Sequence, residues 1–125
     1  MKMSTTISRK SDLYYKVFSL MSVAKGGAFD FTDNEKRLLS LLYEKRDELY
    51  FKGVDMDTIN LILFSRETRN NILELMDIPY NSYNNMISSI KAKNFIVDRH
   101  LHPFYPSIMN HDIKKPFEFT LSIKL

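Results

Sequence analysis

The chain has 125 residues, 44% hydrophobic and 26% charged, and a formal net charge of +3. That is enough for one domain with its own hydrophobic core, in a composition ordinary for globular proteins. The absence of cysteine excludes disulfides and thiol chemistry, and three glycines leave no glycine-rich phosphate loop.

No apolar run approaches the roughly 18 residues of a membrane span, and no signal-peptide core stands near the start. The charge is uneven: net +4 over residues 1–25, −3 over 26–64, zero over 65–98 and +2 over 99–125. Basic ends around an acidic middle permit a polyanion partner without requiring one.

The opening "MKMSTTISRK", residues 1–10, is polar, basic and aperiodic, and reads as a flexible basic arm. One domain is expected over 11–125. In "SDLYYKVFSLMSVAKGG", Leu13, Val17, Leu20 and Met21 fall at helical spacing, with Ser11 as cap and Gly26 and Gly27 as stop. Its aromatic and β-branched content leaves a strand open at the start.

"FTDNEKRLLSLLYEKRDELYFKG" is the most regular element. Thr32 and Glu35 form a T-x-x-E capping box, and Asp33 and Glu35 sit at the positive end of the helix dipole. Leu38, Leu39, Leu42 and Leu49 make the inward stripe, Asp33 and Arg37 pair outside, and Gly53 ends the helix. Its many charges read as a solvated face.

"VDMDTINLILFS" predicts a shorter helix capped by Asp55 or Asp57, with Ile59, Ile62 and Leu63 buried. A new helix starts at Ser65, carries Glu67 in its first turn and turns Ile72, Leu75 and Met76 inward. Pro79 then forces a tight turn. From Tyr80 or Asn81 to Lys93, Tyr83, Met86, Ile87 and Ile90 mark one face of a further helix. Asn81, Asn84, Asn85, Ser88 and Lys91 mark the other, and Asn94 is a plausible C-cap.

"FIVDRHL" is an apolar, β-rich run, and the closing "FEFTLSIKL" alternates strictly, as a half-buried strand does. The stretch 102–116 between them is long for a hairpin loop and suggests a functional or partner-ordered segment.

Helix, tight turn, helix and then two strands joined by a loop is the order of a winged helix-turn-helix. The predicted fold is therefore mainly α with a C-terminal β-hairpin, and 102–116 is its long wing loop. Leu75, Ile78, Tyr83 and Ile87 would form the core shared by the two helices.

The segment "FSRETRNNILELMDIPYNSYNNMISSIKAKNFI" resembles the winged-helix segment of small phage-encoded proteins. The resemblance rests on Phe64 and Ser65, Glu67 and Arg69, Leu75 and Ile78, Asn84 and Asn85, and Lys91, Lys93, Phe95 and Ile96. Glu67 and Arg69 stand at E-x-R rather than E-x-x-R spacing. The usage of isoleucine, asparagine and lysine also looks like that of an AT-rich phage genome.

The resemblance implies a double-stranded DNA partner, in host cytoplasm or virion. Asparagine can bond adenine N6 and N7 bidentately, and serine several base edges, so Asn81, Asn84, Asn85 and Ser88 are the expected base readers. Lys91, Lys93 and Arg99 would meet phosphates, with Lys114 and Lys115 in the wing loop and Arg66 and Arg69 on the preceding helix. Two lysines on the reading helix are few, so binding by one copy would be weak and salt-sensitive, and a homo-oligomer would multiply the charge.

The alternative is a virion structural protein or adaptor that meets other phage proteins through the same helix. The loop residues Phe104, Tyr105, Ile108 and Met109 would then serve docking.

Tyr14, Tyr15 and Tyr80 read as core-edge residues. Asp98, His100 and His102 alternate, with His111 across the loop. They lack a fourth ligand or a helical H-x-x-x-H pair, so no metal and no cofactor are expected. No nucleophile–base arrangement is visible, and the expected role is non-enzymatic.

Overall fold

Short-range signals set where the helices begin. In the computed structural model, which describes residues 2–5, 10–25, 30–102 and 117–120, five helices follow in order. They are α1 Lys10–Lys25, α2 Asp33–Phe51, α3 Met56–Leu63, α4 Arg66–Met76 and α5 Tyr80–Ala92.

Thr32 and Glu35 complete the capping box of α2 in both directions: Glu35 N–H donates to Thr32 Oγ1 at 3.2 Å and Thr32 N–H donates to Glu35 Oε1 at 2.8 Å. Asp55 caps α3 by accepting from Thr58 N–H at 3.0 Å, and Ser65 caps α4 by accepting from Thr68 N–H at 3.2 Å.

Helix ends follow one recipe used three times. Gly53, Asp77 and Asn94 have φ of 84°, 53° and 65°, so each turns left-handed just past α2, α4 and α5. The next residue donates back to a carbonyl five positions earlier: Val54 to Leu49 at 3.1 Å, Ile78 to Leu73 at 3.1 Å and Phe95 to Ile90 at 3.3 Å. These are Schellman closures, each with an apolar pair across the bond. Only the first uses glycine.

Four short strands complete the described chain: β1 Lys2–Thr5, β2 Ile96–Val97, β3 His100–Leu101 and β4 Phe117–Thr120. They form two antiparallel pairs, so the fold is mainly α with small two-stranded sheets. β2 pairs with β3, Ile96 opposite Leu101. β4 pairs with β1, Lys2 opposite Thr120 and Thr5 opposite Phe117.

This corrects the expected hairpin, in which the run after α5 would have met the closing strand. Asp98 and Arg99 are both left-handed, at φ 50° and 59°, and reverse the chain in two residues. Residues 2–5, expected within a flexible arm, instead supply the partner for β4. Residues 103–116, including most of the expected wing loop, lie outside the described residues, as do Gly26 and Gly27.

The core runs from the α1–α2 pair through the inner edges of α3 and α5. Leu13, Tyr14 and Phe18 of α1 and Leu38, Leu39, Leu42 and Tyr43 of α2 are fully buried, as are Ile59, Leu63 and Ile90. Each such aliphatic side chain contributes roughly 2 kcal/mol relative to exposure. Aromatic rings knit the layers. Tyr14 stacks on Tyr43 at 5.2 Å, and Phe18 meets Phe31 and Phe95 edge-on at 5.9 and 6.0 Å.

Three side-chain expectations for α1 and α2 fail. The charges of α2 are not all solvated: Arg46 and Asp47 are 1% exposed. Tyr14, expected at the core edge, sits with them and donates its hydroxyl to Asp47 Oδ2 at 2.6 Å, while Arg46 Nη2 donates to that same hydroxyl at 3.1 Å. Asp33 meets Lys36 at 3.5 Å and not Arg37, whose guanidinium lies over the Tyr15 ring.

Leu75, expected inside, is 66% exposed. The buried edge of α4 is Thr68 and Ile72, with Leu73 and Met76 packed against the core, and Leu75 falls on the rim of that stripe.

Candidate nucleic-acid interface

α5 is positioned from both ends. Asp77, Ile78 and Pro79 join it to α4, and Pro79 stands at its N-cap with φ −76° and ψ 160°. Proline presets that entry but offers no side-chain cap. Tyr83 and Ile90 are buried, and Met86 and Ile87 pack against the core, so the inward stripe is the one that the periodicity predicts.

The opposite stripe is in solvent. Asn81, Asn84, Asn85, Ser88 and Lys91 are all exposed on one side of the helix. Lys91 lies in the last turn, where a cation complements the helix dipole.

Lys93 does something else. Its ammonium donates to the Asp30 carbonyl at 2.7 Å, stands 3.5 Å from Glu35 Oε1 and lies 4.8 Å from the Phe31 ring centroid. It is thus a tie between the end of α5 and the start of α2. Burial pushes the Glu35 carboxyl up, but Ser89, the Thr32 amide and Lys93 together hold it below the usual carboxylate range.

Sequence periodicity missed this tie, because its partners lie far apart in the chain. The capping-box position of Glu35 explains its proximity to a helix start and says nothing of Lys93.

Of the arginines, Arg66 and Arg99 are exposed, the first at the start of α4 and the second at the tip of the β2–β3 turn. Arg69 is half-buried, with its guanidinium 4.6 Å from the ring centroid of Tyr80, and Tyr80 itself is 47% exposed. This cation–π contact staples α4 to the first turn of α5.

The hairpin after α5 is clamped at its base. Asn60 on α3 is buried, donates to the Met56 carbonyl at 3.0 Å and accepts the Leu101 amide at 2.9 Å. Tyr43 donates its hydroxyl to the His102 carbonyl at 2.8 Å, and His102 N–H donates to the Phe95 carbonyl at 2.7 Å. Burial pushes the Tyr43 phenol well above its ordinary pKa, so it remains a donor. Asn60 carried no signal in a linear reading, since an asparagine inside an apolar helix is told from a surface one only by its neighbours.

Asn81, Asn84, Asn85, Ser88 and Lys91 are therefore gathered on one exposed face. Arg66 and Arg99 lie on flanking elements, and Lys93 and Arg69 are engaged internally. Lys114, Lys115, Phe104, Tyr105, Ile108, Met109 and His111 lie outside the described residues. His100 Nδ1 lies 2.7 Å from the Asp98 carbonyl, and Asp98 is a turn residue.

Among the described residues no helix is long and apolar enough to cross a membrane. Compared with known proteins, the chain matches no family model, no curated protein and no solved structure.

Proposed function

We propose that this chain is a non-enzymatic, winged-helix DNA-binding accessory protein of phage type, acting in transcription, replication or packaging. The observation that carries the reading is the single exposed stripe Asn81, Asn84, Asn85, Ser88 and Lys91 on a helix braced at both ends. On this reading α3, α4 and α5 are the three helices of a winged helix, α4–turn–α5 its helix-turn-helix, and β2–β3 a short wing with Arg99 at its tip.

An amide-rich face of this kind suits the major groove: asparagine pairs with adenine edges, serine adapts, and Lys91, Arg66 and Arg99 reach phosphates. The phage assignment rests on the resemblance of residues 64–96, and it places the protein in host cytoplasm or virion.

Fluorescence anisotropy with duplex DNA across about 50–200 mM salt tests the reading. Lys91→Ala is expected to reduce the slope of log affinity against log salt by about 1. Replacing Asn84 and Asn85 by Ala should erase discrimination between sequences and leave that slope in place. No duplex binding at about 50 mM salt removes the reading.

A second reading, a virion component or adaptor, is favoured by Leu61 and Leu75, which are 71% and 66% exposed. Presence of the chain in purified particles, together with no duplex binding, would select it.

A further inference from the structure

The specificity of α5 rests on the DNA reading above and follows from the order of its side chains. At about 100° per residue, Asn81, Asn85, Ser88 and Ala92 fall within about 60° of one another, in a line opposite the buried Tyr83 and Ile90. All four side chains of that line are exposed. Asn84 and Lys91 stand on one flank, the lysine about 90° from the middle of the line.

The line contains no arginine or lysine, the side chains that grip guanine O6 and N7. It contains no carboxylate to accept from cytosine N4. What it does contain is two amides that match adenine, a hydroxyl that suits either pair, and a methyl of the kind that packs on the thymine methyl.

We propose that α5 is specific for A·T base pairs in the major groove, with Asn81 and Asn85 on adenines and Ala92 against a thymine methyl. Each asparagine oxygen accepts from adenine N6 while its amide nitrogen donates to N7. Guanine presents two acceptors on the same edge. An asparagine oxygen would face guanine O6 with no proton between them, desolvated and unpaired.

The cations near this end of the helix do not offset that bias. Lys93 is held by Glu35 and the Asp30 carbonyl. Lys91 projects sideways from the line, toward the groove wall where phosphates lie. From Asn81 to Ala92 the helix rises about 16 Å, the length of roughly five base pairs.

Binding selection by the full chain from duplexes with a randomised core, at about 50 mM salt, tests the proposal. The recovered core is expected to be A·T over roughly five consecutive pairs, with no position defined by guanine. Replacing its adenines by 7-deazaadenine keeps the pairing, the charge and the minor groove, and removes the N7 acceptor. Affinity should then fall about tenfold or more. Uracil in place of thymine removes only the methyl and should weaken binding about threefold. Asn85→Arg should move one core position from adenine to guanine, with the circular dichroism spectrum unchanged because the side chain is exposed.

A core defined by guanine overturns the proposal and leaves DNA binding in place, as does an A·T core indifferent to 7-deazaadenine. Binding unchanged by uracil overturns the Ala92 contact. No duplex recovered at that salt overturns the proposal and the DNA reading together, and leaves the stripe to a protein partner.

Discussion

The Lys93 ammonium stands 3.5 Å from the Glu35 carboxylate, which fastens the last turn of α5 to the first turn of α2. The lysine next along the exposed face, Lys91, has solvent around it. Two lysines two positions apart therefore have separate duties.

Lys93→Ala is expected to cost about 1–2 kcal/mol, because it leaves a buried carboxylate without its cation. Thermal unfolding reads that loss, and a double-mutant cycle with Glu35→Gln should show coupling. The salt slope of DNA binding should stay as in the parent, unlike that of Lys91→Ala. The pH dependence has a definite sign. Glu35 titrates lower in the folded chain than its ordinary 4.5, so its stabilisation is present above that value and drains away as pH falls below it. A Glu35→Gln variant should lose less stability than the parent on going from pH 6 to pH 3.

Asn60→Ala should destabilise the chain by about 1–3 kcal/mol, since it leaves the buried Leu101 amide with no acceptor. Amide hydrogen exchange gives a local readout. Leu101 and His102 should exchange faster in the variant, and the α1–α2 amides should follow only the global change. Uniform acceleration would mean that Asn60 does not act through the hairpin.

Tyr14 lies between Asp47 and Arg46 with its phenol raised well above the ordinary value, first by burial and then by the Asp47 charge. A raised phenol stabilises the fold below about pH 10 and loses that contribution as pH climbs past the unfolded value. Stability measured by urea unfolding should therefore fall from about pH 10 upward. Tyr14→Phe should be less stable at neutral pH by about 1–3 kcal/mol, with a shallower alkaline decline.

Asp77→Gly should raise stability by about 0.5–1 kcal/mol, because φ of 53° is a region glycine enters without steric cost. Asp77→Ala should lower it. Chemical denaturation of the pair decides the matter, and equal effects would show that the turn does not depend on that backbone angle.

Helix starts were legible because their signals are local: Thr32 with Glu35, Asp55 with Thr58, and Ser65 with Thr68 lie within one turn of each other. The two faces of α5 were legible for the same reason, since periodicity needs only a short window. What escaped depends on distant partners. Nothing near Arg46 and Asp47 tells that Tyr14 will enclose them, and nothing near Lys93 announces Glu35. The closing strand shows its alternation clearly, yet alternation names no partner, and a two-residue reversal at Asp98 and Arg99 had already taken the strand that seemed available. Leu75 failed differently: it stands one turn past Ile72 at the rim of the buried stripe, and a hydrophobic pattern does not mark where that stripe ends.

The pairing of Lys2 with Thr120 sets an order of events during synthesis. Every helix precedes residues 117–120 along the chain, so β1 has no strand to bond until those residues have left the exit tunnel. That small sheet is therefore the last piece of the described structure to assemble.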